Sequence, residues 1–118
     1  MDEPIKMSSA EKLTPLIEGL QARKIKFESP SVGKAEIHRD WHDLYVVLEG
    51  RAKVQLGELS GQIDEVSVGE LRSNGMKVQQ EIELTEGDVL LIPAGVAHRT
   101  IVDSFYLQWV FKIPRVRG

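Results

Sequence analysis

Short apolar or alternating segments, separated by glycine, proline and charged residues, run through most of this chain from Lys24 onward. A strand alternates its side chains between two faces, and many short strands with frequent turn residues are typical of a sandwich or closed barrel. The candidate strands are Lys24–Glu28, Lys34–His38, Asp43–Leu48, Ala52–Leu56, Val78–Leu84, Val89–Pro93, Ala97–Val102 and Phe105–Ile113. The pattern therefore predicts one all-β domain over residues 24–118.

The last candidate strand has the clearest alternation. One of its faces would carry Phe105, Leu107, Trp109, Phe111 and Ile113, and the other Tyr106, Gln108, Val110 and Lys112. We assign the first face to the core because it is entirely apolar. The second face is partly apolar and could contact a partner subunit.

The first 23 residues lack a sustained period, and we interpret residues 1–23 as an N-terminal arm that could include a short helix. Thr14 could cap such a helix, and Pro15 suits its first position. A second irregular stretch, residues 57–77, is rich in glycine and is expected to form an elaborated loop or an extra hairpin. Asn74-Gly75 would be the two-residue turn before the next strand.

Composition excludes several functional classes. The 118 residues fit one domain, and the absence of cysteine excludes disulfides, thiolate ligands and a cysteine nucleophile. A formal net charge of -3 and a pI of about 5.6 argue against a nucleic-acid partner, which needs a basic surface. No segment approaches the roughly 20 apolar residues of a membrane span, and the acidic start is unlike a secretory signal. We expect a cytoplasmic protein without membrane or nucleic-acid partners.

The segment GDVLLIPAGVAH carries a specific spacing, in which Gly87, Pro93, Gly95 and His98 follow the pattern G-x5-P-x-G-x2-H. With glycine at about 7% and proline at about 5% of residues, two glycines and a proline at fixed offsets arise by chance about once in several thousand windows. The proline ends a buried strand, and the second glycine permits a tight reversal. His98 then starts the next strand, held by rigid backbone on both sides.

This segment resembles the second motif of the cupin superfamily, which continues with x3-N, and differs from it at Val102, in place of the asparagine. The resemblance covers about residues 33–113. It implies a double-stranded β-helix, also called a jelly-roll barrel, preceded here by a short arm or helix. It also implies a homodimer, which the half-apolar outer face of the last strand favours.

The first cupin motif, G-x5-H-x-H-x(3,4)-E-x6-G, is matched less completely. Glu36 stands at its first histidine, His38 at its second, Asp43 at its glutamate and Gly50 at its closing glycine. Pro30 occupies the place of the leading glycine. The second motif is therefore the specific one, and the first is degenerate.

The resemblance implies that the strands of the two motifs meet at the barrel mouth, where His38, Asp43 and His98 converge. Two imidazoles and a carboxylate suit one divalent ion, and iron, manganese, nickel and zinc all accept such ligands. Glu36 lies two positions before His38 on the same candidate strand, so both side chains point to the same side. It would be a fourth ligand or would accept a hydrogen bond from one.

The leading functional prediction is a metal-binding single-domain cupin with a small-molecule pocket, acting as an oxygenase or isomerase on an unknown substrate. The alternative is a metal-free, non-catalytic cupin that binds or senses a sugar-like molecule, because the first histidine of the first motif is missing. We expect His42, Tyr45, Gln108 and Trp109 to line the pocket. The sequence assigns no residue a catalytic role.

Overall fold

A computed structural model describes residues 3–7, 12–17 and 19–116, and every regular element within these ranges is a β-strand. The strands are β1 (Thr14–Ile17), β2 (Leu20–Phe27), β3 (Ser31–Val32), β4 (Ala35–His38), β5 (Trp41–Ser67), β6 (Glu70–Thr85), β7 (Val89–Ile92), β8 (Ala97–Val102) and β9 (Tyr106–Pro114). The predicted all-β class is confirmed. The described ranges also hold no helix of the length and hydropathy that a membrane crossing requires.

Strand β5 joins two layers. Its first half pairs with β9 and β7, and its second half pairs with β6 and β8. The first layer therefore runs β1-β2-β9-β5-β7, and the second layer contains β5, β6, β4, β8 and β3. At the corner, Gly50 has a φ of 78°, and an added Cβ would lie 2.2 Å from the Phe105 carbonyl oxygen. Glycine is the residue that fits this bend.

The hydrophobic core lies between the two layers. Its buried residues come from both, and they are Tyr45, Val47, Ala52, Val54, Leu84, Ile92, Val102, Tyr106 and Val110. Alternate residues of β5 reach it, as expected for a strand with one buried face. The same alternation brings Asp43 to the inside, two residues before Tyr45, where it is 2% exposed.

Our assignment of the two faces of β9 is wrong. Tyr106, Gln108 and Val110 are 0%, 2% and 5% exposed and point into the core, so Phe105, Leu107 and the other residues of that set lie on the outer side. We had assigned the face with Phe105, Trp109 and Phe111 to the core because of its apolar content alone. The inner face is nevertheless stable, because the Tyr106 hydroxyl donates a hydrogen bond to the Gln108 side-chain oxygen and both buried polar groups are satisfied.

The stretch at residues 57–77 continues the β5–β6 hairpin, so of the two alternatives the structure has the hairpin. The expected turn at Asn74-Gly75 is wrong, because Gly75 pairs with Ser60 inside the ladder. The chain reverses at Val68-Gly69 instead, between the paired residues Ser67 and Glu70. Gly69 has a φ of 78°, the left-handed conformation that such a turn requires.

The helical alternative for the N-terminal arm is also wrong. Thr14–Ile17 is a strand that pairs with β2, and the Thr14 hydroxyl donates to the Lys12 carbonyl oxygen 3.0 Å away. Edge pairing satisfies this backbone, and proline is tolerated at a sheet edge. Strand β2 begins at Leu20, before the predicted start.

The described residues leave out positions 1, 2, 8–11 and 18 of the arm, and 117 and 118 of the barrel. The division at residue 23 stays a prediction.

Candidate metal centre

Four side chains from three strands meet inside one end of the barrel. Glu36 and His38 come from β4, Asp43 from β5 and His98 from β8. Glu36 pairs directly with His98 in the ladder, and the ring centroids of His38 and His98 are 5.2 Å apart. We call these four residues the donor cluster. The structure thus brings together the four residues that the two motifs pointed to.

Each carboxylate of the cluster places an oxygen near the imidazole nitrogens, at distances that suit ligands of one ion. Asp43 Oδ2 lies 3.5 Å from His38 Nε2 and 3.4 Å from His98 Nε2. Glu36 Oε2 lies 3.5 Å from His38 Nε2, and one donor atom each of Glu36, His38 and His98 fall within 4.8 Å of one another. Two ligand atoms bonded to one ion at about 2.1 Å are about 3.0 Å apart at a right angle and about 3.4 Å at the tetrahedral angle. The residues present therefore fit a divalent ion.

Both imidazoles are oriented by an oxygen on their far side. His38 Nδ1 lies 2.6 Å from Glu70 Oε1, and His98 Nδ1 lies 3.0 Å from the Val96 carbonyl oxygen. Because a carboxylate and a carbonyl oxygen only accept hydrogen bonds, these partners assign the hydrogen to Nδ1 of each ring. Each Nε2 then directs its lone pair toward the cluster. Metal-binding histidines in proteins are held in this way.

Asp43 supplies negative charge at the centre of the cluster. Its Oδ1 accepts a hydrogen bond from Lys112 Nζ, while its Oδ2 faces the two imidazoles. Burial alone raises the pKa of the Asp43 carboxyl. A hydrogen bond from His98 Nε2 and the charge of His38, both present when the rings carry a second proton, act with the charge of Lys112 to outweigh burial and leave the pKa below its ordinary value. The group is a carboxylate at neutral pH, and protons and metal ions compete for the lone pairs that face it.

Three further charged residues adjoin the cluster, and the sequence analysis missed them. Glu70 and Arg72 lie directly opposite His38 and Glu36 on β6, and Arg72 Nε is 3.1 Å from Glu36 Oε1. Neither motif gives a signal for these two residues, because their place depends on the register between β4 and β6. Lys112 was assigned to the outer face of β9, so correcting that face would have revealed it.

A cavity of about 210 Å³ opens beside the donor cluster, and we call it the donor-side cavity. Its walls include Arg23, Tyr45 and Lys112 together with most of the cluster. Burial, reinforced by the negative charge of Asp43, raises the pKa of the Tyr45 hydroxyl far above its ordinary value. The wall of the cavity therefore carries a neutral phenol at any physiological pH.

Of the four residues predicted to line the pocket, Tyr45 is among those that line the donor-side cavity. Gln108 is buried in the core, where its side-chain oxygen accepts a hydrogen bond from the Tyr106 hydroxyl. His42 lies on the opposite face of β5 from Asp43, where its Nδ1 accepts a hydrogen bond from the Ala94 amide 2.9 Å away.

Trp109 lies on the outer side of β9, which corrects its predicted place in the pocket. Its ring stacks on Phe111 with centroids 6.1 Å apart, and Lys24 Nζ is 5.6 Å from the ring centroid. A larger cavity of about 520 Å³ borders Lys24 and Lys26. We place the site at the smaller cavity because the larger one has no histidine among its walls.

The sequence pattern of the family described as the JmjC domain matches residues 3–115. The chain belongs to the JmjC-domain family. No curated protein is a significant match to it in sequence. The predicted cupin barrel is confirmed by this match together with the solved structures that share the fold.

Three of those structures illustrate the likeness of this JmjC-domain chain to cupins. Protein BH2720 from Bacillus halodurans has a TM-score of 0.63 at 20% identity, covering 84% of this chain and 65% of that one. The Cnp3 cupin domain of Schizosaccharomyces pombe has a TM-score of 0.62 at 7% identity, covering 87% and 60%. Recombinant oxalate oxidase in complex with glycolate has a TM-score of 0.56 at 16% identity, covering 85% and 44%. The chain thus spans less than two thirds of each, and at these identities the likeness shows the fold alone.

Proposed function

We propose that this chain binds one divalent metal ion through the donor cluster and takes a small molecule into the adjoining cavity. The observation that supports this most is the orientation of the two imidazoles, whose Nδ1 atoms have oxygen partners while both Nε2 atoms face Asp43 Oδ2. Nitrogen and oxygen ligands without a thiolate suit iron, manganese, nickel or zinc. A metal ion that is held by few protein ligands keeps coordination positions open for a substrate.

We propose further that the chain is a metal-dependent oxygenase or isomerase. A bound divalent ion supplies Lewis acidity toward an oxygen-bearing substrate. The residues of the chain bind and orient: Lys112 holds the Asp43 carboxylate, Glu70 holds the His38 ring, and the Tyr45 phenol stays protonated in the cavity wall. The glycolate complex of oxalate oxidase is consistent with a small oxygen-rich ligand in a barrel of this type.

One observation favours a second candidate function, the binding or sensing of a sugar-like molecule without a metal. The ammonium group of Lys112 already provides a counter-charge to the buried carboxylate of Asp43. Such a pair can be stable without an ion. A thermal-shift screen separates the two candidates, because a ligand that binds the native state raises the unfolding temperature. Stabilisation by a metal ion supports the first candidate, and stabilisation by a sugar in the presence of chelator supports the second.

A calorimetric titration with Mn²⁺ tests the metal site directly. We expect the untagged chain to take up one ion, and we expect His38→Ala and His98→Ala each to weaken binding by about a hundredfold or more. The matched control is His42→Ala, which removes the third histidine of the chain on the opposite face of β5. Binding that His42→Ala weakens as much as His98→Ala, or no uptake by the wild type, would contradict the proposal.

We also propose that two copies pair through the outer side of the first layer. The apolar residues there, which we call the outer apolar face, are Leu44, Val46, Val89, Leu91, Leu107, Trp109 and Phe111. Val89 and Leu91 are 61% and 53% exposed. Lys24 and Lys26 flank this face on β2, and the acidic turn 86–88 precedes β7 at the other edge. A two-fold axis parallel to the strands would set the basic edge of each copy over the acidic edge of the other.

A cytoplasmic location stays a prediction.

A further inference from the structure

The wall of the donor-side cavity has a polar side and an apolar side. The second layer gives most of the polar side, and its residues there are Glu36, His38, Glu70 and Arg72. The apolar side lies along the first layer and is made of Leu13, Ile25, Val110 and the ring of Tyr45. A molecule that fills the cavity therefore meets charged groups on one side and hydrocarbon on the other.

Leu13 is the outermost residue of the apolar side. It directly precedes Thr14, which pairs with Ala22 at the edge of the first layer. The same register sets Leu13 beside Arg23, which pairs in turn with Val110. Residues opposite one another in antiparallel strands share a face, so Leu13 and Val110 lie on the inner face of the layer. The aliphatic stem of Arg23 continues the apolar surface between them.

The apolar side is only partly covered by the protein. Leu13 is 43% exposed, whereas Val110 is 5% exposed. Ile25 lies two residues after Arg23 on the same face of β2, and it packs against the edge of the hydrophobic core. An exposed leucine on an outer surface is common, but this one borders a cavity together with a second aliphatic residue. Covering it with another apolar group removes hydrocarbon from water, which is favourable.

We infer that the ligand of the donor-side cavity carries a short hydrocarbon group that packs against Leu13 and Ile25, while an oxygen-bearing group faces the donor cluster. The volume of about 210 Å³ equals about seven water molecules at roughly 30 Å³ each, which suits a ligand of about that many non-hydrogen atoms. A sugar fits less well, because hydroxyl groups set against the apolar side lose their hydrogen bonds to water. The inference rests on the proposed function, since it names the ligand class of the same site.

Calorimetric titration of the Mn²⁺-loaded full chain with three hydroxamates tests this, because each hydroxamate binds a metal ion through the same pair of oxygen atoms. The probes are acetohydroxamate, butyrohydroxamate and the analogue of butyrohydroxamate in which a hydroxyl group replaces the terminal methyl group. We expect butyrohydroxamate to bind about tenfold more tightly than acetohydroxamate, since each fully buried methylene group is worth about fourfold. The hydroxyl analogue has the same size and should lose most of this gain.

Variants of Leu13 assign the gain to this residue. Leu13→Ser should reduce the affinity ratio of butyrohydroxamate to acetohydroxamate to about threefold or less, and Leu13→Met, which keeps an apolar side chain of similar volume, should retain the ratio. The matched control is Ile17→Ser, which removes a 54% exposed apolar residue from the other end of β1 and should leave the ratio unchanged. Undiminished Mn²⁺ affinity shows that each variant is folded.

The outcomes separate two kinds of failure. Mn²⁺ uptake without binding of any hydroxamate, equal affinity for the three probes, or a ratio that Leu13→Ser and Ile17→Ser change alike would overturn this inference and leave the metal proposal standing. The same titrations in chelator cover the opposite case. A Leu13-dependent preference for butyrohydroxamate in a chain that takes up no Mn²⁺ would support this inference and refute the metal proposal.

Discussion

Asp43 shows how one buried residue combines two contacts, because one carboxylate oxygen binds Lys112 and the other faces both imidazoles. Its ion pair with Lys112 is almost wholly buried, with side-chain exposures of 3% and 14%. Removing one partner of such a pair leaves an uncompensated buried charge. The stability of the cluster therefore depends on a lysine that neither motif contains.

We predict that Lys112→Met lowers the free energy of unfolding of the metal-free chain by about 3–5 kcal/mol, as measured by urea denaturation. The matched control is Lys53→Met, whose partner Glu81 lies 3.9 Å away in an exposed pair. That variant should lose less than about 1 kcal/mol. Equal losses in the two variants would show that the buried pair has no special role.

Glu70 gives a second prediction at this scale. Because it orients His38 through Nδ1, we expect Glu70→Ala to weaken Mn²⁺ binding by about 10–100-fold, measured by calorimetry. Glu65→Ala is the control, since Glu65 lies on the same hairpin and its carboxylate forms an exposed ion pair with Arg39, at 3.8 Å. A Glu70 variant with wild-type affinity would mean that the imidazole needs no such partner.

The sequence was informative for some residues of the site and silent on others, for a physical reason. His98 could be predicted because turn residues at fixed spacing position it locally. His38, Asp43 and Glu36 followed from a weaker match to the first motif. Glu70, Arg72 and Lys112 come from other strands, and their place at the site depends on register and on which face turns inward. Local sequence does not encode either one.

At the scale of elements, the existence of most strands could be predicted, whereas their orientation and ends could not. Strand β9 has apolar residues on both faces, and the choice between them depends on which set fits the space inside the barrel. Similarly, the hairpin of β5 and β6 extends to Gly69 because its backbone pairs continue past Gly57 and Gly75. The glycine-rich sequence left a loop and a hairpin open there, and the backbone pairing of β5 with β6 decides for the hairpin.

The corner at Gly50 gives a prediction for an element. Gly50→Ala would impose both the left-handed conformation and a clash with the Phe105 carbonyl, so we expect a loss of about 2 kcal/mol or more in urea unfolding. The control is Gly61→Ala, where φ is 74° and an added Cβ meets nothing within 4 Å. That change should cost only the backbone strain of about 1–2 kcal/mol. Equal costs would mean that β5 can shift at the corner to avoid the clash.

At the scale of the whole molecule, the corrected assignment of the two faces of β9 changes which surface could pair with a second copy. We predict that the wild type is a dimer at micromolar concentration in sedimentation equilibrium, and that Leu91→Glu, in the outer apolar face, makes it a monomer. Val68→Glu is the control, because Val68 is 91% exposed at the hairpin turn, away from that face. A wild-type monomer, or dissociation by both variants, would contradict pairing through this face.

We expect the donor cluster to hold one ion, and anomalous scattering from a crystal of the Mn²⁺-soaked chain would locate it. A single anomalous peak should lie within about 2.0–2.3 Å of the Nε2 atoms of His38 and His98, with a carboxylate oxygen of Asp43 or Glu36 at a similar distance. A map with no peak between the two rings, or with the ion bound elsewhere on the molecule, would contradict it.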